Sequence, residues 1–232
     1  EWFHRLWARL IGLVFALPFI YFLVRKYFTK DMVMPIVGMF VLAMVLGAYV
    51  FWFALKLLIP DNKKVLSASL NRLAIVILVA IGIQFVYGAL MAGHKAATVA
   101  ATWPTINGMW VPENMNQSTS GHYMLENKIT IHFMHRGLAY LILLLTIWFT
   151  VKAAPVKISG IFNRFKYTPL VFVLIQVLLG IFTLLSSNTI QPNKWRVFET
   201  IALSHQMIAM FFMLSMVLQI YLIKTKTGVG TQ

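Results

Sequence analysis

The sequence contains no cysteine. That removes disulfides, thiolate metal sites and cysteine nucleophiles from consideration. It is also poor in acid: Asp and Glu number six among 232 residues, and only 11% of the chain is charged. A soluble domain of this length needs far more polar surface. Against 20 Lys and Arg, the acid deficit leaves a net charge of +14. No basic domain stands apart from the apolar segments, however, so no nucleic-acid partner is expected. Ionisable residues are missing from the middle of the apolar blocks, which argues against a transporter built on internal repeats. No signal peptide is visible. The chain opens on Glu1 rather than Met and enters an apolar block almost at once, so it reads as a fragment.

What is present is apolar: 60% of residues, gathered into blocks at roughly 6–25, 32–59, 70–92, 129–151, 168–187 and 200–223. Most of the blocks are close to the ~20 residues that cross a hydrocarbon core. They are continuously apolar rather than alternating, and lipid offers no partner to a free backbone group, so helices are expected rather than a barrel. Four basic clusters mark the cytoplasmic side: Arg25, Lys26 and Lys30; Lys63, Lys64 and Arg72; Lys152, Lys157, Arg164 and Lys166; Lys224 and Lys226. The loops 93–128 and 188–199 then face outward. The block 32–59 breaks this pattern, since a single span cannot begin and end beside inside clusters. Either a segment is missing near Gly47 to Phe51, or this is an unusually long tilted helix.

Two repeats support a duplicated plan: Gln84-x3-Gly88 matches Gln176-x3-Gly180, and His4-Arg5 opens its block as His135-Arg136 opens another. Residues 70–232 make a four-span unit with the outer loop 93–128, and residues 1–69 a partial one. The fold expected is all-α, a polytopic membrane bundle with a pseudo-twofold repeat of four-helix units, about six spans being present of eight. The Gln and Gly residues read mainly as helix packing, small residues letting helices approach, though glycines could also line a flat macrocycle. The loop from Gly93 to Pro112 is too apolar for a linker and is expected to fold as a short interfacial helix over the bundle. Trp7, Trp103, Trp110 and Trp195 read as an aromatic belt.

Six histidines, His4, His94, His122, His132, His135 and His205, all fall toward the outer side. Imidazoles from two helices at one depth can hold a haem iron. His135 and His205 meet that demand, both about one turn inside the outer end. Arg136 and Arg5 are placed to pair with haem propionates. Glu1 shares a helical face with His4 if the helix reaches back to it, where a carboxylate could act as base; a solvated terminal acid fits the spacing equally. His132 stands one turn before His135 and reads as a contact near the site rather than a ligand.

The chain resembles the haem A synthase family. The resemblance is carried by Glu1-Trp-Phe-His4-Arg5 with Arg9 and Gly12, Gln84-x3-Gly88-Ala-x2-Ala-Gly93, the loop Trp103 to Pro112, His132-x2-His135-Arg136, Gln176-x3-Gly180-x2-Thr183, and Ser204-His205-Gln206. It implies eight helices in two four-helix bundles, with haem b between His135 and His205. Haem O is the implied substrate, with His4 as one ligand and Glu1 as the catalytic carboxylate. The implied reaction oxidises the C8 methyl of haem O to a formyl group by successive hydroxylations, giving haem A for a terminal oxidase. The chain departs from the family in lacking its first span, any His between His4 and His94, and the Cys pair of some members. Membrane lipid and haem O are the expected partners. Haem O synthase and a second copy of the chain stay open, and the electron acceptor is not identified. The location implied is a bacterial plasma membrane, ahead of the mitochondrial inner membrane. A bis-His haem b protein that only transfers electrons is the alternative.

Overall fold

A computed structural model describes residues 33–61, 64–113, 115–116, 122–156, 160–191 and 196–224. Five long helices dominate: α1 (Val33–Leu58), α2 (Ala68–Gly93), α3 (Lys128–Ala153), α4 (Thr168–Ser186) and α5 (Val197–Leu222). Their bounds follow the apolar blocks to within three residues, because each block ends where capping chemistry begins. Ser67 caps α2 by accepting from the Leu70 N–H at 3.3 Å. Asn127 caps α3, its Oδ1 accepting from Ile129 at 2.9 Å and Thr130 at 3.1 Å. Pro169 sits in the first turn of α4, where its missing N–H costs nothing. At the start of α5 the Arg196 N–H donates to Glu199 at 2.9 Å.

Among the described residues, four helices are long and apolar enough to cross a membrane, and α1 contributes a shorter apolar stretch, Leu42–Leu58. The first expected block lies outside the described residues. Helix α1 runs unbroken through 47–51.

Helices α2 to α5 form one closed bundle. The hairpins α2–α3 and α4–α5 have the most extensive contacts; α2 also touches α5, and α3 touches α4. Helices α3 and α5 therefore stand diagonally opposed. The inner end is closed by two short parallel strands, β1 (Val65–Leu66) and β2 (Ile223–Lys224). Helix α1 packs outside against α2 and α5. It is fastened by Tyr221, whose hydroxyl donates to the Ile59 carbonyl at 2.7 Å and whose ring meets Trp52 edge-on. Lys64 and Lys224 bracket Asp61 at 2.8 and 3.5 Å, and the Lys64 hydrogen bond holds the Asp61 carboxyl below its usual range.

The main apolar core fills the inner half of the bundle, around Ile77, Phe149, Phe162, Met216 and Leu222. Thr146 and Thr150 are buried there but satisfy themselves by donating to the carbonyls four residues back. A smaller cluster of Tyr87, Leu90, Ala96 and Ile131 closes the outer end of α2–α3.

The outer loop differs from expectation. Instead of an interfacial helix it makes a single 3-10 turn, Ala96–Val99, and then a tight hairpin turn in which Ile106 and Met109 exchange backbone hydrogen bonds at 2.9 and 3.1 Å. Pro104 and Pro112 each withhold a helical N–H. Asn107 and Gly108, both at positive φ, are the residue pair this turn geometry selects.

Candidate functional site: two imidazoles across a membrane bundle

His135 lies on α3 and His205 on α5, the diagonal pair. His135 is seven residues in from Lys128 and His205 eight in from Val197. At ~1.5 Å per residue the two stand at nearly the same depth, ~11–12 Å below the helix starts. That is about two turns, deeper than the one turn read from the apolar blocks, because both helices begin with a polar turn. Each residue is half-buried.

Each imidazole is held by the other helix of its own hairpin. In α4–α5, the main-chain carbonyl of Gln176 lies 3.1 Å from His205 Nδ1, and the side-chain amide nitrogen of Gln176 lies 3.2 Å from Nε2. The carbonyl can only accept, so Nδ1 carries the proton and Nε2 the lone pair. In α2–α3, the amide nitrogen of Gln84 lies 3.4 Å from His135 Nε2 and donates to the His135 carbonyl at 3.0 Å. One turn further along each helix is a glycine. A Cβ at Gly180 would come within 3.0 Å of His205 Cε1, and one at Gly88 within 3.5 Å of His135 Cε1. These four Gln and Gly residues, read from the sequence mainly as packing, are the floor and side wall of the two rings. The clue was their identical spacing in two helices, each preceding a histidine helix.

Arg136 is placed beside the pair but its fork is already engaged. Nη2 donates to the carbonyls of Ala100 at 3.2 Å and Thr102 at 2.6 Å. Nη1 donates to those of Pro104 at 3.3 Å and Thr105 at 3.1 Å. The guanidinium thus pins the outer loop over the bundle, and only its Nε is buried without a partner. His132 is 1% exposed, and neither of its ring nitrogens has a partner. Beside it Thr130 donates to the Met115 carbonyl. Glu1, His4, Arg5 and Arg9 lie outside the described residues.

Among the described residues no three His, Asp or Glu side chains converge on a point that could hold a bare metal ion. Two imidazoles suit an iron whose remaining ligands come from a macrocycle. The donor set has the right chemistry: one imidazole on each of two diagonally opposed helices, with a glycine beside each ring. Without haem each Nε2 lies at the amide of Gln84 or Gln176 in its own hairpin, and His135 Nδ1 is buried without a partner.

Fold and site together define a polytopic helical membrane protein with a paired-imidazole bundle. The sequence profile of the COX15-CtaA family, described as cytochrome oxidase assembly protein, matches residues 1–49 and 40–217. The chain belongs to that family. The two matched stretches meet inside α1, in the block where the charge pattern breaks. The chain is similar to proteins named Heme A synthase from Wolbachia pipientis subsp. Culex pipiens (32% identity, 80% of this chain and 64% of that one) and Flavobacterium johnsoniae (30%, 93% and 71%). It is likewise similar to one of that name from Wolbachia sp. subsp. Brugia malayi (32%, 89% and 68%). The chain spans about two thirds of the length of these relatives. No solved structure matches it.

Proposed function

We propose that the chain acts as a haem A synthase, an integral membrane oxidoreductase that converts the C8 methyl of haem O to a formyl group by successive hydroxylations. Family membership and the relatives' names support the reaction class. The observation that carries the reading is the pair His135 and His205, opposed across the bundle at one depth with each Nε2 beside a glutamine amide.

In this reading His135 and His205 hold haem b as the resident cofactor of the unit 70–232. Haem b supplies one-electron exchange when bound. The chain's own residues do the rest. The Gln176 carbonyl keeps the His205 proton on Nδ1, so that the lone pair is on Nε2; ligation through it displaces the Gln176 amide that lies 3.2 Å away. The inner core around Phe149 and Met216 excludes water from below. Arg136 holds the loop 100–105 over the outer end and offers its remaining Nε–H to a propionate. The substrate haem O belongs to the unit 1–69, with His4 as ligand, Glu1 as the carboxylate that accepts protons during oxidation, and Arg5 beside a propionate. The location proposed is a bacterial plasma membrane, the product haem A serving a terminal oxidase.

The test is expression in a bacterial host that makes haem O but lacks its own synthase, followed by chromatography of extracted haems. Haem A is expected from the wild type and none from Glu1→Ala. The purified protein should give a low-spin, bis-imidazole b-type reduced-minus-oxidised spectrum, which His205→Ala converts to a weak high-spin one. A b-type spectrum without haem A would favour the electron-transfer cytochrome. No b-type signal would sink both readings.

A further inference from the structure

We propose that His132 binds a haem propionate: with the Nε–H of Arg136 it forms a two-donor carboxylate site about one turn outward of His135. The proposal rests on the haem-binding reading above and adds to it the residue that anchors the acidic edge of the macrocycle. Three observations carry it. First, the buried polar atoms without partners divide by kind. Among the described residues, those of Asn71, Gln84, Asn163, Gln176 and Gln219 are amide oxygens, which accept. The unpartnered nitrogens all belong to His132, His135 and Arg136, on one short stretch of α3. His132 leaves both ring nitrogens bare while being 1% exposed. In either neutral tautomer one of them carries a hydrogen to donate. Second, His132 lies on the buried stripe of α3 that runs on through Ile142, Thr146, Phe149 and Ala153. His135 falls on the same stripe, so His132 stands above it on the outer side of the bundle. Arg136 is one helical turn from His132, a neighbour on the helix surface. Third, the matching position on α5, three residues before His205, is Ala202. The donors at this level therefore come from α3 and suit a single carboxylate.

The surroundings fix which way the acidic edge points. The inner half of the bundle is packed with Phe149 and Met216, where a carboxylate would be buried without a partner at high cost. The propionates of a haem between His135 and His205 must point outward, to the level of His132. Four carbonyls occupy Nη1 and Nη2 of Arg136 and leave Nε–H over. One carboxylate at that level completes both side chains, and hydrogen bonds to an ionised acceptor are the stronger kind.

The experiment uses the detergent-solubilised chain, freed of haem and titrated with protohaem or with its dimethyl ester, whose propionates carry no charge. Wild type is compared with His132→Leu, His132→Phe and His132→Gln. Leucine and phenylalanine donate nothing, phenylalanine keeps the bulk of the ring, and glutamine restores an N–H. Affinity is read at the Soret band, and a low-spin spectrum reports that both imidazoles ligate. His132→Leu and His132→Phe are expected to weaken protohaem binding roughly 10- to 100-fold, the loss of one hydrogen bond to a charged group. Their affinity for the dimethyl ester should match that of the wild type, and His132→Gln should recover most of the loss. Equal losses with both haems would assign His132 to packing and overturn the site, as would unchanged protohaem affinity. Failure of both apolar variants to fold would assign it to packing too. A wild type that binds the two haems equally well would also overturn it, while its low-spin spectrum kept the haem reading intact. A wild type without a low-spin signal would fail that reading, and the carboxylate site with it.

Discussion

The glycines under the two rings are not equivalent, and the difference sets up a sharp comparison. A methyl group at Gly88 would meet His135 Cε1 at 3.5 Å and Nδ1 at 3.9 Å, ordinary contact near the ~3.5–4.0 Å optimum for carbon pairs. At Gly180 it would meet His205 Cε1 at 3.0 Å and Nδ1 at 3.6 Å, so ring or helix has to give. The ring is not free to yield, because Gln176 holds it at both nitrogens. Overpacking of this kind costs about 1–3 kcal/mol. That strain is present without haem, so it falls on the stability of the fold, offset by up to about 1 kcal/mol of helix propensity gained in either substitution. Gly88→Ala should therefore be at least as stable as the wild type, whereas Gly180→Ala should be less stable by up to about 2 kcal/mol. Thermal unfolding of the detergent-solubilised protein reads the difference. Equal effects at the two glycines, or wild-type stability in Gly180→Ala, would refute the idea that the ring rests on that backbone.

Arg136→Lys should free the outer loop, since an ammonium cannot serve four carbonyls in the plane of a guanidinium. It should cost at least the about 1.5–3 kcal/mol of one charge-assisted bond and expose residues 100–112 to added protease. Tyr221→Phe removes the hydroxyl that fastens Ile59 and should lower stability by about 1 kcal/mol, visible as a lower melting temperature with haem binding unchanged. The Asp61 carboxyl is held below its usual range by Lys64. Its contribution is thus present above the carboxylate range and lost as pH falls through the depressed value. The effect should be small and salt-sensitive because the group is exposed, and absent in Asp61→Asn when melting is followed from pH 6 to pH 3.

The helices were legible because lipid imposes a simple demand: long apolar runs, ended by Ser67, Asn127 and Pro169. The two candidate ligands stood out for a related reason, since His135 and His205 are polar residues in stretches that otherwise exclude them. What the sequence hid was relational. Nothing in Gln84 or Gln176 alone says which neighbour an amide will meet, and packing explains each one adequately. Only the fold shows that they meet His135 and His205. Arg136 was legible only in part. A cation next to a histidine suggests an anion, and the sequence did not show that four carbonyls left bare by the irregular loop 100–105, whose Pro104 blocks a helix, engage both Nη groups and leave Nε–H over. The interfacial helix failed because overall apolarity was weighed above Pro104, Asn107, Gly108 and Pro112.

The Gln84–His135 and Gln176–His205 contacts, a clamp in each hairpin of the haem-free chain, make each half of the site self-contained. His135 is held from α2 and His205 from α4, so neither ring depends on the other hairpin for its orientation. The hairpins meet through α2–α5 and α3–α4, through the inner core, and at the outer end where the Ser187 hydroxyl donates to the Ala97 carbonyl at 3.1 Å. Deleting one imidazole should thus leave the opposite half in place. In His205→Ala the bundle is expected to keep its helical content and the Gln84–His135 half, and to bind haem weakly through one axial nitrogen, giving a high-spin spectrum. Added imidazole, small enough to enter beside Gly180, should restore a low-spin spectrum. If His205→Ala instead collapses the fold, or if imidazole restores nothing while His135 is intact, the two halves are not independent and the duplicated-clamp view of this bundle is wrong.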